Sequence, residues 1–136
     1  MKFNLSMFHK IQPAAASALI AALALLCQLP AAFAADNADE GKRAFAKCAS
    51  CHQVGPSARA GFGPALNGII GKRAGSSPDY RYSAAMKKSG IVWTEKSLAA
   101  FLKDPGAVVP DTKMRFYGIS DEKEIAKLLA YLKNFP

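Results

Sequence analysis

The sequence predicts an all-α domain of four to five short helices. Apolar residues recur at the i, i+3, i+4 spacing of one helix face in two segments, residues 95–103 and 121–134. Serine, threonine or acidic residues stand before the helical segments, where their side chains can accept from free backbone N–H groups. We find no convincing strand pattern between them. These observations favour helices that pack on helices.

The first helix is predicted from Ala38 to about Ser50, and its Gly41 and Phe45 share one face. A glycine inside a helix costs stability, unless a partner helix must approach closely. Residues 53–82 follow and contain nine glycines and prolines, too many for a long regular element. A loop of that length fits a compact domain only if it wraps something, and within it residues 66–71 are expected to form one helical turn.

Two short helices are predicted next. Ser83 is the expected cap of a helix that runs through Lys88 and ends at Gly90. Thr94 is the expected cap of the helix over residues 95–103, which the Asp104-Pro105 pair should end.

The last helix is predicted from Asp121 to about Asn134, with Ser120 as its cap. Acidic residues come early in it and lysines late, which suits the helix dipole. Its apolar face is formed by Ile125, Leu128, Leu129 and Leu132.

The chain is organised around one motif, Cys48-Ala49-Ser50-Cys51-His52. Two thiols three residues apart, followed directly by an imidazole, have the spacing at which haem is attached to a polypeptide. Near the end of a helix the two sulfurs face the same way, so both can reach one edge of a porphyrin. His52 then lies beside the ring, where a nitrogen can bind the iron.

Other uses of the motif fit this chain less well. A disulfide that closes a loop of two residues does little for stability. Three ligands on one short segment, without a second Cys or His cluster, do not complete a tetrahedral zinc site. A thioredoxin-like pair needs a strand-helix-strand scaffold. Haem is the remaining interpretation, and a flat macrocycle is something that the glycine-rich loop can wrap.

Residues 1–34 have the pattern of a secretory signal peptide, with lysines before an apolar run at 14–29 and a small-x-small cleavage site at Ala32-Phe33-Ala34. Cleavage leaves residues 35–136, one domain of ordinary size in the periplasm. Every cysteine and histidine that remains lies in the motif. The alternatives are an uncleaved membrane anchor and, fitting less well, a lipoprotein through Cys27.

The charge is basic. The formal net charge of +8 falls to +6 when the two leader lysines are removed. A basic domain favours an acidic partner or an anionic membrane surface. Nucleic acid is the wrong polymer for an exported compartment, and the lysines are not interleaved with aromatic residues.

The sixth iron ligand decides between an electron carrier and an enzyme. A single histidine excludes bis-histidine ligation within one molecule, and Met86 and Met114 are the only methionines outside the leader. Met86 lies in the middle of a predicted helix, where packing is the ordinary role of methionine. Met114 lies in an extended stretch with polar neighbours, where a packing role is less obvious.

The chain resembles class I c-type cytochromes, of the mitochondrial cytochrome c and bacterial cytochrome c2 kind, over essentially all of residues 35–136. The common order and spacing of short motifs carry the resemblance. The matching pieces are Gly41-x-x-x-Phe45, Cys48-x-x-Cys51-His52, Gly63-Pro64-x-Leu66-x-Gly68, Gly90-Ile91-x-Trp93-Thr94, Pro110-x-Thr112-Lys113-Met114 and Leu128-x-x-Tyr131-Leu132.

The resemblance implies the cytochrome c fold, in which four to five short helices wrap around one covalently bound haem c. The N- and C-terminal helices should cross where Gly41 and Phe45 meet Leu128 and Tyr131.

The resemblance also implies the role of each site residue. Cys48 and Cys51 would form the thioether bonds, and His52 and Met114 would be the axial ligands. The carbonyl of Pro64 would accept a hydrogen bond from the other His52 nitrogen. The positions that hydrogen-bond the haem propionates are matched by Tyr82, Trp93 and Thr112.

The sequence departs from the family's pattern around the haem. Mitochondrial members usually have arginine directly after the glycine matched by Gly71, whereas here Lys72 comes first and Arg73 next, so which of the two reaches a propionate is open. Phe101 stands where many members have tyrosine, and Met86 where many have asparagine. We expect fewer hydrogen bonds on the methionine side of the haem.

The implied function is that of a monomeric electron carrier with a low-spin haem, which is no enzyme and has no small-molecule substrate. Its partners would be acidic redox proteins: a membrane quinol–cytochrome c reductase as donor, and an oxidase, reductase or photosynthetic acceptor. The cations expected at the exposed haem edge are Lys47, Lys87 or Lys88, Lys113 and Arg115. The alternatives are a haem-bearing subunit of a larger oxidoreductase and a small haem peroxidase with an open sixth position.

Overall fold

A computed structural model describes residues 39–136, so the predicted signal peptide and its cleavage site lie outside the described residues. The described part contains five helices and no strand, which confirms the all-α prediction. None of its helices is long and apolar enough to cross a membrane. The helices are α1 over residues 39–45, α2 Ala84–Lys88, α3 Glu95–Lys103, α4 Pro105–Val108 and α5 Glu122–Leu132.

The first and last helices cross at Gly41, as predicted. A Cβ atom at this position would lie 2.6 Å from the Cβ of Tyr131 and 2.7 Å from the carbonyl oxygen of Lys127. Only a residue without a side chain lets the two backbones approach this closely. One turn further along α1, the ring of Phe45 packs on that of Tyr131 with centroids 5.5 Å apart.

Two ion pairs link the same two chain segments. Lys127 Nζ lies 2.9 Å from a carboxylate oxygen of Glu40, and Lys47 Nζ lies 2.6 Å from Glu124. All four side chains are partly exposed, so each pair adds only about 0.2–1 kcal/mol. The crossing therefore depends mainly on the close approach at Gly41 and on apolar burial.

The predicted bounds of α2 and α3 are confirmed. Ser83 Oγ accepts from Met86 N at the start of α2, and α3 begins with a reciprocal capping box between Thr94 and Ser97. One short helix, α4, was not predicted. The side chain of Asp104 accepts a hydrogen bond from Ala107 N at 3.0 Å, so the residue that ends α3 also caps α4.

Three other boundary predictions are wrong in detail. Helix α1 ends at residue 45, and residues 46–51 form successive turns instead of continuing the helix. Asp121, rather than Ser120, caps α5 by accepting from Lys123 N at 2.8 Å. Residues 66–71 form hydrogen-bonded turns rather than helix. After residue 45 the backbone bonds switch between three-residue and four-residue spacings, which interrupts the regular α-helical ladder.

The glycine-rich segment is held to the chain after α2 by a small set of backbone bonds. Gly71 N donates to Trp93 O at 2.8 Å, Trp93 N donates to Lys72 O at 2.9 Å, and Ala74 N donates to Ile91 O at 2.8 Å. An isolated antiparallel bridge joins Arg73 to Val92 in the same region. Residues 71–74 of the long loop are thus fixed to the chain between α2 and α3.

The buried side chains form one apolar cluster to which α1 to α5 and the loops all contribute. Leu128 of α5 is its most enclosed member, with 1% of its surface exposed. No polar or charged residue in the described part of the chain is buried. Many of these apolar side chains face a common cavity rather than one another.

We predict that Gly41→Ala lowers the free energy of unfolding of the haem-loaded protein by about 2 kcal/mol, because overpacking typically costs about 1–3 kcal/mol. Guanidinium denaturation followed by circular dichroism measures the change. Gly61→Ala is the matched control, since a Cβ at Gly61 meets nothing within 4 Å. Equal losses in the two variants would contradict the close approach as the cause.

Candidate haem site

One cavity of about 390 Å³ lies inside the domain. Its volume falls within the range of about 300–1,000 Å³ that is usual for small-molecule and cofactor sites. Apolar side chains from several helices form most of its walls. All eight residues that the sequence predicts for the site line it: Cys48, Cys51, His52, Pro64, Tyr82, Trp93, Thr112 and Met114.

The two cysteines lie on the turns that follow α1. Cys48 N donates to Phe45 O at 2.8 Å, and Cys51 N donates to Cys48 O at 3.0 Å. These bonds span three residues, and in such tight turns side chains three residues apart lie on the same side. Cys48 is buried and Cys51 is exposed, and both are free thiols that line the cavity.

Burial raises the pKa of the Cys48 thiol, because the thiolate loses solvation, and this outweighs the opposing influence of Lys47. A redox-active dithiol requires the opposite, a lowered pKa that supplies the attacking thiolate. The environment of Cys48 therefore does not suit thioredoxin-like chemistry.

The imidazole of His52 is held in one orientation. Its Nδ1 lies 2.8 Å from the carbonyl oxygen of Pro64, the contact that the resemblance implies. A carbonyl oxygen can only accept, so Nδ1 is the donor in this contact, and in the neutral ring Nε2 then has the free lone pair. Nε2 is thus the nitrogen that is able to bind a metal.

The loop after the motif is shaped to receive this ring. A Cβ on Gly63 would lie 2.7 Å from Nδ1 of His52 and would also collide with Cε1. Gly63 N donates to Cys51 O at 2.9 Å, and Leu66 N donates to Gln53 O at 3.0 Å. These two bonds flank Pro64 and hold its carbonyl against the ring.

The amide of Asn67 closes the same loop, a role that the sequence analysis missed. Its Oδ1 accepts from Gly55 N at 3.0 Å, and its Nδ2 donates to Gly55 O at 2.9 Å. The Asn67-Gly68 pair is a turn signal in the sequence, but it does not reveal which backbone groups the amide meets.

Met114 lies half-buried in the segment between α4 and α5. Its N–H lies 3.3 Å from Thr112 Oγ1, and the neighbouring Lys113 Nζ donates to Arg81 O at 3.0 Å. Met86 is buried on α2 and lines the cavity as well. Both methionine side chains are therefore close to the space that a cofactor would fill.

The structure also shows the surroundings of Lys72, Arg73 and Phe101, where the sequence departs from the family's pattern, and of Tyr82. Neither Lys72 nor Arg73 lines the cavity, and Lys72 Nζ donates to Asn67 O at 3.2 Å. Phe101 is buried and packs on Trp93 with ring centroids 5.0 Å apart. Tyr82 is half-buried and stands edge-on to Tyr80, with centroids 4.8 Å apart.

The residues present fit a haem group. The cavity brings together two thiols that can form thioethers, an imidazole with a free Nε2, and neutral thioether sulfurs. Histidine nitrogen and methionine sulfur are both common axial ligands of haem iron. The apolar walls suit a flat, largely apolar macrocycle.

Comparisons with known proteins point to one family. The family model for cytochrome c matches residues 38–136. Cytochrome c2 of Blastochloris viridis is 41% identical over 117 residues, which cover 86% of this chain and 92% of that protein. Cytochrome c-550 of Bradyrhizobium diazoefficiens is 46% identical over 95 residues, which cover 70% of each protein.

Solved structures agree in fold. Cytochrome cH from Methylobacterium extorquens is 44% identical and superposes with a TM-score of 0.67, covering 71% of this chain and 97% of that one. Cytochrome c2 from Rhodospirillum centenum superposes with a TM-score of 0.67 at 36% identity, covering 72% and 97%. The predicted cytochrome c fold is confirmed. The chain belongs to the cytochrome c family, as a class I, c2-like c-type cytochrome that carries haem c covalently on its Cys48-x-x-Cys51-His52 motif and transfers electrons rather than acting as an enzyme.

Proposed function

We propose that this chain is a periplasmic monohaem electron carrier whose iron is ligated by His52 and Met114. One observation carries the proposal: a single cavity is lined by the two motif thiols, by His52 with its Nδ1 already engaged, and by Met114. Export rests on the signal pattern of residues 1–34, which leaves 35–136 as the working domain.

When bound, haem supplies reversible one-electron chemistry at its iron. The chain's own residues prepare the site for it. Pro64 O fixes the His52 ring and increases the electron density on Nε2, as a hydrogen-bond acceptor behind a ligand does. The neutral sulfur of Met114 and the apolar walls disfavour the more highly charged oxidised state, which raises the reduction potential relative to bis-histidine ligation.

Three residues of the cavity are proposed to bind the propionates: Tyr82, Trp93 and Thr112. Each lines the cavity and each carries a hydrogen-bond donor, a phenol, an indole N–H and a hydroxyl. Trp93 is a buried residue that lines the cavity, and its indole N–H is proposed to donate to a group held there.

The proposed partners are acidic redox proteins. The charged side chains that line the cavity are Lys47, Lys113 and Arg115, and no acidic residue of the described chain lines it. The three cations are not equally available to a partner, because Lys47 pairs with Glu124 at 2.6 Å and Lys113 donates to a backbone carbonyl. Among residues 39–136, Arg115 has no ion-pair partner, so its charge is the most available at the opening.

We predict that expression of the full chain in a host with a haem-maturation system places a red protein in the periplasmic fraction. Its intact mass should equal residues 35–136 plus one haem, because the leader is removed after Ala34. Subcellular fractionation and mass spectrometry measure both points. A red product of full length in the membrane fraction would contradict cleavage and support the anchor alternative.

We predict that Met114→Leu abolishes the weak far-red band of the ferric protein that reports a methionine–iron bond, and that it lowers the reduction potential. Met86→Leu is the matched control and should keep the band, since leucine replaces buried methionine at a cost below about 1.5 kcal/mol. Absorption spectroscopy and potentiometric titration provide the readouts. Loss of the band in Met86→Leu alone would assign the ligand to Met86 instead.

We predict that Arg115→Gln slows reduction by a purified bacterial quinol–cytochrome c reductase several-fold more than Lys47→Gln does at low ionic strength. Both variants remove one positive charge, but the charge of Lys47 is already balanced by Glu124. The difference should disappear at high salt, where screening is strong. Stopped-flow kinetics across a salt series measure it, and equal effects of the two substitutions would contradict the ranking.

A further inference from the structure

Two aromatic side chains of this domain are almost wholly in solvent. Phe62 is 88% exposed and Tyr117 is fully exposed, whereas the other described aromatic residues are at least partly buried. Val92, 45% exposed, is the third large apolar residue on the described surface. Single exposed apolar residues are ordinary, so their position relative to the haem cavity decides their meaning.

Phe62 lies at the cavity itself. Its side chain is among the lining residues, and it stands directly before Gly63, which packs on the ring of His52. The hydroxyl of Tyr80 donates to Phe62 O at 2.9 Å, so the backbone that carries the exposed ring is held in place. The ring is therefore displayed on a fixed support beside the proposed haem ligand.

Tyr117 belongs to the segment of residues 113–118, in which exposed and half-buried residues alternate. Met114, Phe116 and Gly118 are half-buried, and the first two line the cavity. The exposed side chains are Lys113, Arg115 and Tyr117, which we call the outer row. Alternate residues of an extended chain face opposite sides, so the outer row forms one surface strip next to the cavity.

The backbone that follows Tyr117 is also held in place. Ile119 N donates to Leu102 O at 2.9 Å, and a Cβ on Gly118 would collide with the carbonyl oxygen of Lys103. The segment thus lies tightly against the end of α3, while the phenol ring of Tyr117 contacts solvent. Burial in the domain cannot be the role of a ring that the fold holds outside.

We propose that Phe62 and Tyr117 are apolar anchors with which the chain docks onto acidic redox-partner proteins at the cavity opening. The inference rests on the proposed function and deepens it. Charge complementarity selects the acidic partner, since lysine and arginine supply all the charged lining residues that the described chain contributes. Tyrosine and arginine are the residue types that most often dominate interface energetics, and the outer row places Tyr117 two residues from Arg115.

Anchoring and steering can be separated by ionic strength. Charge steering weakens once the Debye length falls to about 8 Å at physiological salt, whereas burial of an aromatic ring against a partner does not depend on screening. An aromatic anchor therefore contributes at high salt, where the contribution of Arg115 is lost.

The test uses the haem-loaded protein and a purified bacterial quinol–cytochrome c reductase at low and high salt. Tyr117→Ala and Phe62→Ala should each raise the KM for the cytochrome about fivefold or more, with kcat unchanged, and the rise should persist at high salt. Tyr117→Phe should restore a KM close to that of the wild type. Val92→Ala is the matched control, because Val92 is exposed but belongs neither to the cavity lining nor to the outer row.

A second measurement separates docking from damage to the site. The reduction potential, the visible spectrum and the rate of reduction by ascorbate should be the same in Tyr117→Ala as in the wild type, because Tyr117 does not line the cavity. Phe62 does line it, so for Phe62→Ala the KM for the reductase should rise by a larger factor than the ascorbate rate falls. If Tyr117→Ala and Phe62→Ala slow ascorbate and reductase equally, the docking proposal is overturned. If the wild type is reduced by the enzyme but both alanine variants keep its KM, the proposal is also overturned and the proposed function stands.

The remaining outcomes are equally informative. Failure of the wild type to accept electrons from the reductase, with a normal haem spectrum, would count against the proposed function rather than the anchors. Loss of binding to anionic lipid vesicles in the alanine variants, with an unchanged KM, would assign the anchors to a membrane surface and overturn a protein partner. Concentration-dependent dimerisation that Tyr117→Ala removes would assign them to a second copy of the chain.

Discussion

The interior of this domain is a cavity that its own side chains do not fill, and the rest of the structure depends on that. The cavity of about 390 Å³ is lined mostly by apolar side chains, and apolar surface left in contact with water forgoes the main favourable contribution to folding. Covalently held haem would therefore complete the core, and the glycine-rich loop, which is itself held by backbone bonds to Ile91 and Trp93, forms part of the wall around it.

Much of the fold could be predicted from local signals in the sequence, whereas the predicted site residues follow from the Cys48-x-x-Cys51-His52 motif and from the resemblance to class I c-type cytochromes. Helix α3 has a capping box, an apolar stripe and a proline stop, and its predicted bounds are correct. The end of α1 and the existence of α4 were not predicted: the backbone bonds after residue 45 mix two spacings, and Asp104, expected only to end α3, also caps α4. The close packing of Gly63 on the His52 ring and the hydrogen bonds of the Asn67 amide to Gly55 could not be predicted from the sequence. Their partners lie 11 and 12 residues away and come close only in the folded chain.

The cations at the cavity opening were also predicted only in part from the sequence. The sequence predicts a cluster of cations, and Lys47, Lys113 and Arg115 do line the cavity, whereas neither Lys87 nor Lys88 does. Net charge follows from composition alone, but available charge does not. The pairing of Lys47 with Glu124 joins residues far apart in the chain, and it removes from the opening a charge that the sequence counts in full.

The two proposed ligands are held in different ways, and this connects docking to the iron site. His52 is enclosed by a hydrogen bond to Pro64, by the backbone of Gly63 and by bonds on both sides of that loop, so its ring has one position. Met114 instead sits on an extended segment, three residues after Asp111, which adopts a left-handed backbone that L-residues disfavour. The outer row alternates with Met114 along this segment, and its Lys113 and Arg115 also line the cavity. A partner that docks on Arg115 and Tyr117 would therefore contact the same backbone that carries Met114, and through Phe62 it would contact the backbone next to Gly63, on which the His52 ring packs.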